Sequence, residues 1–202
     1  MAEVHLSIPL TEGAVRGLKL GDTVFLTGTF VTARDEAHIH ALDALKTGHP
    51  VPFEFKDSAV FHCGPIAREV AKGRWEIVAA GPTTSTRMNS LEPDFLRKFH
   101  PRAIIGKGGM SKPTVDAMKE VGAVYLAITG GAAVVAAKGI TRVQAVHWLE
   151  ELGMPEALWV LEGKDFGPMT VGIDAHGNSM FDRVDAQVKE NIGRIKKQLG
   201  IE

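Results

Sequence analysis

Short apolar runs alternate with segments of helical periodicity along most of the chain. Runs rich in β-branched and aromatic residues, which favour strands, occupy 23–28, 58–64, 75–80, 103–105, 124–128, 158–161 and 169–173. Apolar residues three or four positions apart predict helices over 32–46, 92–99, 112–121, 132–138, 143–152 and 182–199. The 58–64 and 75–80 strands are close in the chain, so they are predicted to be neighbours in one sheet.

The order of these elements changes near the middle of the chain. Strands and helices alternate after the 92–99 helix, which predicts a parallel or mixed sheet, whereas the first half is richer in β-structure. No internal repeat and no linker-like segment interrupts the pattern. The sequence therefore predicts a single α/β domain over residues 1–202, with a mixed sheet and flanking helices.

The composition is that of an ordinary globular protein. Of the 202 residues, 45% are hydrophobic and 23% are charged, and the formal net charge is -1 with a pI of about 6.7. Nucleic-acid-binding domains commonly have a pI above about 9. The charge balance therefore argues against a nucleic-acid partner.

The cysteine content and the length of the apolar segments limit which kinds of protein this chain can be. Cys63 is the single cysteine, which excludes an intrachain disulfide and a metal site built from several cysteines of this chain. The first residues lack the basic and apolar regions of a signal peptide. The longest near-apolar stretch, 123–137, is shorter than the about 20 residues that span a bilayer. We therefore expect a cytoplasmic protein without a membrane span.

The segment 79–88, Ala-Ala-Gly-Pro-Thr-Thr-Ser-Thr-Arg-Met, combines a turn with hydroxyl groups and a cation. Gly81 and Pro82 favour a turn, residues 83–86 carry four hydroxyls, and Arg87 adds a planar guanidinium that suits a carboxylate. On these residues alone, a hydroxyl-rich turn that caps the next helix is an equally good interpretation.

A second glycine-rich segment, Gly106-Lys107-Gly108-Gly109, connects the 103–105 strand to the 112–121 helix. Its glycines let the backbone approach a ligand, and a helix N-terminus favours anions. The spacing is not that of a P-loop, and Ser111 replaces the last glycine of a dinucleotide fingerprint. The two segments together indicate a site for a small dicarboxylate, although a flexible strand-to-helix connection is the simpler alternative for the second.

Arg34 lies near the start of a predicted helix, where a cation opposes the helix dipole. A binding role is therefore plausible, but a solvated arginine paired with Asp35 or Glu36 is the more ordinary interpretation.

Histidine and cysteine residues do not form a recognisable metal or nucleophile motif. Cys63 follows His62 in an apolar strand, where a free thiol usually packs as a small hydrophobe. His38 and His40 are two positions apart and would point in different directions on a helix. We therefore predict no metal site in this chain.

Taken in order, the motifs of this chain resemble those of one known family. They are Gly28 with Thr32-Ala33-Arg34-Asp35, Phe61-His62-Cys63-Gly64-Pro65, Gly81-Pro82-Thr83-Thr84-Ser85 with Arg87-Met88, Gly106-Lys107-Gly108-Gly109-Met110, and 165–168 through 174–178. The combination resembles the β subunit of class I, iron–sulfur-dependent fumarate hydratases and L(+)-tartrate dehydratases, a unit that also forms the C-terminal domain of the fused enzymes. The resemblance covers nearly the whole chain and implies a swivelling β/β/α domain.

The resemblance also implies a partner and a cofactor. In this family an α subunit, or an N-terminal domain, supplies three cysteines to a [4Fe-4S] cluster. The single cysteine of this chain agrees with a cluster held by the partner. The chain begins at its own Met1, which predicts a two-subunit enzyme, and the resemblance implies an α2β2 assembly that serves the tricarboxylic acid cycle.

The family's functional residues match positions of this chain. Thr83 matches the threonine proposed as the base that takes the proton from the carbon β to a carboxylate, and Lys107 matches the lysine of the glycine-rich loop. A threonine hydroxyl is a poor base unless a cation or another group activates it. The matched substrate-binding positions are Arg34, Thr84, Arg87 and Gly108.

The implied reaction is the reversible hydration of fumarate to malate. The open iron on the partner would act as a Lewis acid on the hydroxyl, and this chain would supply cations for the carboxylates. The closest alternative is an L(+)-tartrate dehydratase, which converts tartrate to oxaloacetate, and mesaconate is a third possible substrate. A non-catalytic dicarboxylate-binding module is the alternative from another class.

Overall fold

The computed structural model describes residues 1–201 and contains nine strands and seven α-helices within that range. The strands are β1 (Glu3–Ser7), β2 (Thr23–Thr32), β3 (Ala59–Phe61), β4 (Ile66–Ala71), β5 (Arg74–Ala79), β6 (Ala103–Gly106), β7 (Val124–Ala127), β8 (Ile140–His147) and β9 (Leu158–Ile173). The helices are α1 (Glu12–Arg16), α2 (Asp35–Thr47), α3 (Glu92–Phe99), α4 (Lys112–Val121), α5 (Ala133–Lys138), α6 (Leu149–Leu152) and α7 (Met180–Leu199). The predicted α/β class is confirmed.

Seven of these strands form one mixed sheet in the order β1-β2-β3-β6-β7-β9-β8, and β2 also pairs with β9. Strands β1, β2, β3, β6 and β7 are parallel, whereas β9 runs antiparallel to β2, β7 and β8. The carboxyl ends of β2, β3, β6 and β7 therefore lie at one edge of the sheet. Ligand sites of α/β proteins commonly occupy this edge.

Alternate residues of the central strands face two hydrophobic cores. Phe61 and Ile105 belong to the core that also contains Phe30 and Phe166. Their neighbours on β3 and β6 face the second core, which packs against α2, α3 and α4. Full burial of each phenylalanine contributes about 1.5–3 kcal/mol. Both cores contain buried phenylalanines, so packing on both faces of the sheet stabilises the positions of the strand ends.

The predicted helix over 143–152 is wrong for most of its length. Residues 140–147 form β8, which pairs with β9 at the sheet edge, and only one helical turn follows. Ile140, Val143 and Val146 pack against the first core. Their β-branched side chains suit a pleated surface better than a helix.

The predicted strands 158–161 and 169–173 are one continuous strand, β9. The glycines between them do not end the strand. A Cβ at Gly163 would lie 2.8 Å from Cε1 of Phe30, so glycine is required there because the aromatic ring is so close.

The predicted pairing of the 58–64 and 75–80 strands is also wrong. β5 pairs instead with β4, which the sequence did not predict, in a separate two-stranded sheet. β3 lies between β2 and β6.

The 32–46 helix begins three residues later than predicted. Thr32 is the buried last residue of β2, and Arg34 occupies the N-cap position of α2.

The apolar stripe predicted for the last helix is present on α7, but none of the 20 residues of this helix is buried. Its apolar side chains are exposed at Val184, Val188, Ile192, Ile195 and Leu199. Within residues 1–201, no helix combines the length and apolar character needed to cross a membrane.

Candidate functional site

Asp35, the first residue of α2, brings the two arginines of the predicted site together. Nε of Arg87 donates to Oδ1 of Asp35 over 3.0 Å, and Nη2 of Arg87 lies 3.0 Å from Oδ2. Nη2 of Arg34 lies 3.8 Å from the same Oδ2. The two cations therefore share one carboxylate at the carboxyl end of β2.

Arg34 is held more tightly than Arg87. Its side chain is 18% exposed, and Nη2 lies 3.0 Å from Oε1 of Glu156. A Cβ at Gly64 would lie 2.8 Å from Nη1 of Arg34, so glycine at that position gives the guanidinium its room. Nε of Arg34 is buried and has no hydrogen-bond partner among residues 1–201, and an anion would satisfy such a donor.

The hydroxyl-rich segment lies across the end of β3. Pro82 forms an isolated bridge with Cys63, and the N–H of Thr83 donates to the carbonyl of His62 over 2.6 Å. These contacts fix the backbone of Thr83. No described contact activates its hydroxyl, so the role of Thr83 as a base stays a prediction.

The same segment then meets the end of β6. Thr84 pairs with Lys107 in a parallel bridge, and the N–H of Ser85 donates to the carbonyl of Lys107 over 2.8 Å. A Cβ at Gly106 would lie 2.0 Å from Oγ of Ser85. Glycine at position 106 therefore allows the two loops to come together.

Lys107 extends toward the end of β7 and enters none of the ion pairs formed within the described range. Its Nζ lies 3.3 Å from the place where a Cβ of Gly130 would be. Gly108 has a φ of +83°, a conformation that glycine adopts without strain. Lys107 and Gly108 are both exposed.

The predicted site residues thus lie along one edge of the sheet. Backbone contacts join Thr84 and Ser85 to Lys107, Thr83 and Gly108 flank these contacts, and Asp35 joins the two arginines. Three cations face two carboxylates, which leaves a net positive charge that suits an anionic ligand. The face is open, because Thr84, Arg87 and Lys107 are exposed.

Cys63 is buried in the first core, as the sequence predicted for a small apolar residue. Burial raises the pKa of its thiol to about 12. The thiol therefore stays protonated and is unsuited to act as a nucleophile.

Three buried side chains that the sequence did not predict to form a cluster lie beneath the site. Oε2 of Glu92 lies 2.9 Å from Nε2 of His62 and 3.4 Å from Nε2 of His38, and all three side chains are 0% exposed. His38 and His40 do point apart as predicted, since only His38 is buried. No local pattern indicates that His38 meets a histidine 24 positions away, because that contact depends on how α2 packs against β3.

The three buried groups influence one another's ionisation. Burial raises the pKa of Glu92, but the two imidazoles outweigh burial and lower it to about 2. Burial also lowers the pKa of His38, yet attraction to Glu92 outweighs it and the net pKa is raised. For His62 burial dominates, and the pKa is lowered.

The fold and the site together define an α/β domain with cationic side chains near the carboxyl ends of parallel strands, an arrangement that suits an anionic ligand. The model of the fumarase C-terminus family matches residues 1–184, so the chain belongs to this family.

Three relatives are similar to this chain over most of its length. A Methanocaldococcus jannaschii protein, provisionally named as an L(+)-tartrate dehydratase subunit beta, is 44% identical and covers 92% of this chain and 95% of its own length. The L(+)-tartrate dehydratase subunit beta of Shigella boydii is 40% identical over 87% of this chain and 85% of its own length. A protein of Geobacillus stearothermophilus, provisionally named as a class I fumarate hydratase, is 40% identical over 96% of this chain but only 36% of its own length.

Proposed function

We propose that this chain is the β subunit of an iron–sulfur-dependent hydro-lyase that reversibly hydrates fumarate to malate. The observation that carries the proposal is the convergence of Arg34, Arg87 and Lys107 on one sheet edge. Family membership and the names of the relatives support the same class of reaction.

The three cations suit a ligand with two carboxylates. Arginine presents a planar fork to a carboxylate, and lysine adds a compact positive charge. A C4 dicarboxylate carries its charges at both ends, so cations on two separate loops bind it and orient the carbon chain between them. Orientation of this kind lowers the barrier of a reaction by removing freedom before the chemical step.

The open face of the site is an argument for a partner subunit that covers it. Arg87 has a side-chain exposure of 53%, and charge interactions in contact with water are weak. A second surface placed over the loops would exclude water and strengthen every charge interaction with the substrate. Relatives named as β subunits fit this arrangement.

Cofactor chemistry is assigned to that partner. This chain has a single cysteine, Cys63, which is buried in the first core, so we propose that the partner's cysteines hold a [4Fe-4S] cluster. The cluster, when bound, supplies a Lewis acid for the hydroxyl that is added or removed. This chain orients the two carboxylates, and Thr83 is the proposed group for proton transfer, with Lys107 on the adjoining loop to stabilise charge.

L(+)-tartrate is the second candidate substrate, and the names of the two-subunit relatives favour it. Tartrate has the same two carboxylates and one more hydroxyl than malate. The same cations would therefore bind either substrate, and selectivity would come from contacts to the extra hydroxyl.

The test is anaerobic co-purification of this chain with a cysteine-bearing partner, followed by assays on fumarate, malate and L-tartrate. We expect an iron-containing α2β2 complex that interconverts fumarate and malate. Preference for tartrate would replace the substrate and keep the reaction class. A stable chain that binds dicarboxylates but yields no active complex would contradict the hydro-lyase proposal.

A further inference from the structure

The hydrogen-bond partners of the buried cluster beneath the site determine which ring nitrogens of its two histidines carry protons. Nδ1 of His38 lies 2.7 Å from the carbonyl oxygen of Arg34, and a carbonyl only accepts, so Nδ1 carries a proton. Nε2 of the same ring faces Oε2 of Glu92 at 3.4 Å. A lone pair would be repelled by the carboxylate, so Nε2 is protonated as well and His38 is an imidazolium.

The other ring of the cluster is neutral. The hydroxyl of Tyr125 donates to Oγ of Ser85 over 3.0 Å. The Ser85 hydroxyl is then free to donate to Nδ1 of His62 over 2.9 Å. That nitrogen is therefore an acceptor, and the proton of His62 is on Nε2, which faces the carboxylate.

The cluster is electrically balanced without any further group. It contains one imidazolium, one carboxylate and one neutral ring, and the pKa directions of the three groups agree with this assignment. The contacts between Nε2 and the carboxylate lack the alignment of ideal hydrogen bonds, so the charge of His38 and the N–H dipole of His62 attract the carboxylate. Histidine and glutamate side chains also bind zinc, so the zinc content of the purified chain is measured by elemental analysis.

The cluster is joined to both parts of the anion site. His38 binds the backbone of Arg34 at the start of α2. His62 binds the next loop twice, through its carbonyl to the N–H of Thr83 and through its ring to Ser85. The segment from Thr83 to Arg87 is therefore connected to the Glu92 carboxylate through His62, and Arg34 is connected to the same carboxylate through His38.

We propose that Glu92 is a positioning residue: through His38 and His62 it fixes the two segments that carry the anion-binding arginines. The inference rests on the proposed function only for the identity of the bound ligand. Two further titratable groups face the cluster. Asp35 attracts protons to both rings, and Tyr125 remains neutral because burial raises its pKa.

The first test needs no substrate. Nitrogen NMR of ¹⁵N-histidine-labelled chain is expected to show both nitrogens of His38 protonated at pH 7 and only Nε2 of His62 protonated. Hydrogen exchange of the Thr83 and Ser85 amides is expected to speed up about tenfold in Glu92→Gln, the size of one lost hydrogen bond. Two neutral rings, unchanged exchange, or one equivalent of bound zinc by elemental analysis would overturn the proposal.

A second variant covers the case in which Glu92→Gln does not fold. Ser85→Ala removes the link between the loop and the cluster but keeps the charge pair. We expect it to remain folded, to speed amide exchange at Thr83, and to raise KM in the complex about tenfold with a smaller change in kcat. The matched control is Ser90→Ala, at an exposed serine, which should change neither quantity. Equal behaviour of the two serine variants would overturn the proposal.

The proposed function and the positioning role of Glu92 can be contradicted separately. A wild-type complex that turns over no dicarboxylate would contradict the proposed function but not this inference, because amide exchange reports on the loop without substrate. An active complex with normal KM and unchanged exchange in Ser85→Ala would contradict the inference alone.

Discussion

The guanidinium of Arg87 binds the carboxylate of Asp35 through two contacts of 3.0 Å each. The two residues are 52 positions apart in the chain, so this pair joins the hydroxyl-rich loop to the start of α2. Because the side chain of Arg87 is 53% exposed, the pair contributes little to stability. Its main consequence is the orientation of a cation that also faces the open edge of the site.

Replacement of Arg87 by alanine should separate function from stability. We expect turnover by the reconstituted complex to fall about 100-fold or more, because a charged partner of a desolvated carboxylate is lost. The melting temperature should change little. The matched control is Arg68→Ala, which removes an exposed arginine from a 3.0 Å pair with Glu76 on the β4–β5 hairpin. Full activity of Arg87→Ala would contradict the site assignment.

Substitution of Gly106 by alanine should displace the loop that crosses the end of β6. The new Cβ would lie 2.0 Å from Oγ of Ser85, and overpacking of this kind typically costs about 1–3 kcal/mol. Since each kcal/mol shifts the melting temperature by about 2–4 °C in a protein of this size, thermal unfolding should show a drop of several degrees together with lost turnover. Gly13→Ala, where a Cβ meets nothing within 4 Å, serves as the control. Equal melting temperatures of the two variants would show that the loop yields without cost.

Cys63 should be unreactive in the folded chain. Its thiol is 1% exposed and its pKa is raised to about 12, so thiol reagents at pH 8 should label it only after unfolding. Cys63→Ala should retain the full iron content of the complex, because the partner is proposed to hold the cluster. Rapid labelling of the native chain, or loss of iron in the variant, would contradict this assignment.

Stability should fall in acid through Glu92. Its pKa is lowered from an ordinary 4.5 to about 2 in the folded chain. The stabilisation is therefore fully present above pH 4.5 and is lost as the pH falls toward 2, with a size on the order of 3 kcal/mol. Urea unfolding of the wild type and Glu92→Gln should differ most near pH 5 and converge near pH 2. A difference that stays constant over this range would contradict the assigned pKa.

Local patterns predicted the elements that carry the site. The strands near 103–105 and 124–128 were recognisable because apolar, β-branched runs end at glycine-containing loops, whereas β2 continues through Gly28 to Thr32. β8 and the continuity of β9 were missed. Gly163 resembles a strand end in sequence, yet the nearby ring of Phe30 requires a glycine inside the strand.

The exposed residues of the candidate site were also easier to predict than the buried residues beneath them. Lys107 lies between two glycines in a loop, and Arg87 follows the Gly81-Pro82 turn in the hydroxyl-rich segment, so both are recognisable in the sequence. Glu92 resembles an ordinary acid in the first turn of a helix, and His62 resembles a residue of a buried strand. Only the packing of α2 and α3 against β3 brings these side chains together, and that packing leaves no local trace in the sequence.

Fumarate hydration by wild-type and Lys107→Met complexes, purified anaerobically with the same partner, tests directly whether these loops bind the substrate. The substitution keeps most of the side-chain volume and removes the charge that faces the site. We expect malate formation by the wild type and a loss of at least about 100-fold in the variant, with unchanged partner binding and iron content. Equal rates in the two complexes would contradict the claim that these loops bind the substrate, and a wild-type complex inactive on fumarate, malate and L-tartrate would contradict the proposed reaction.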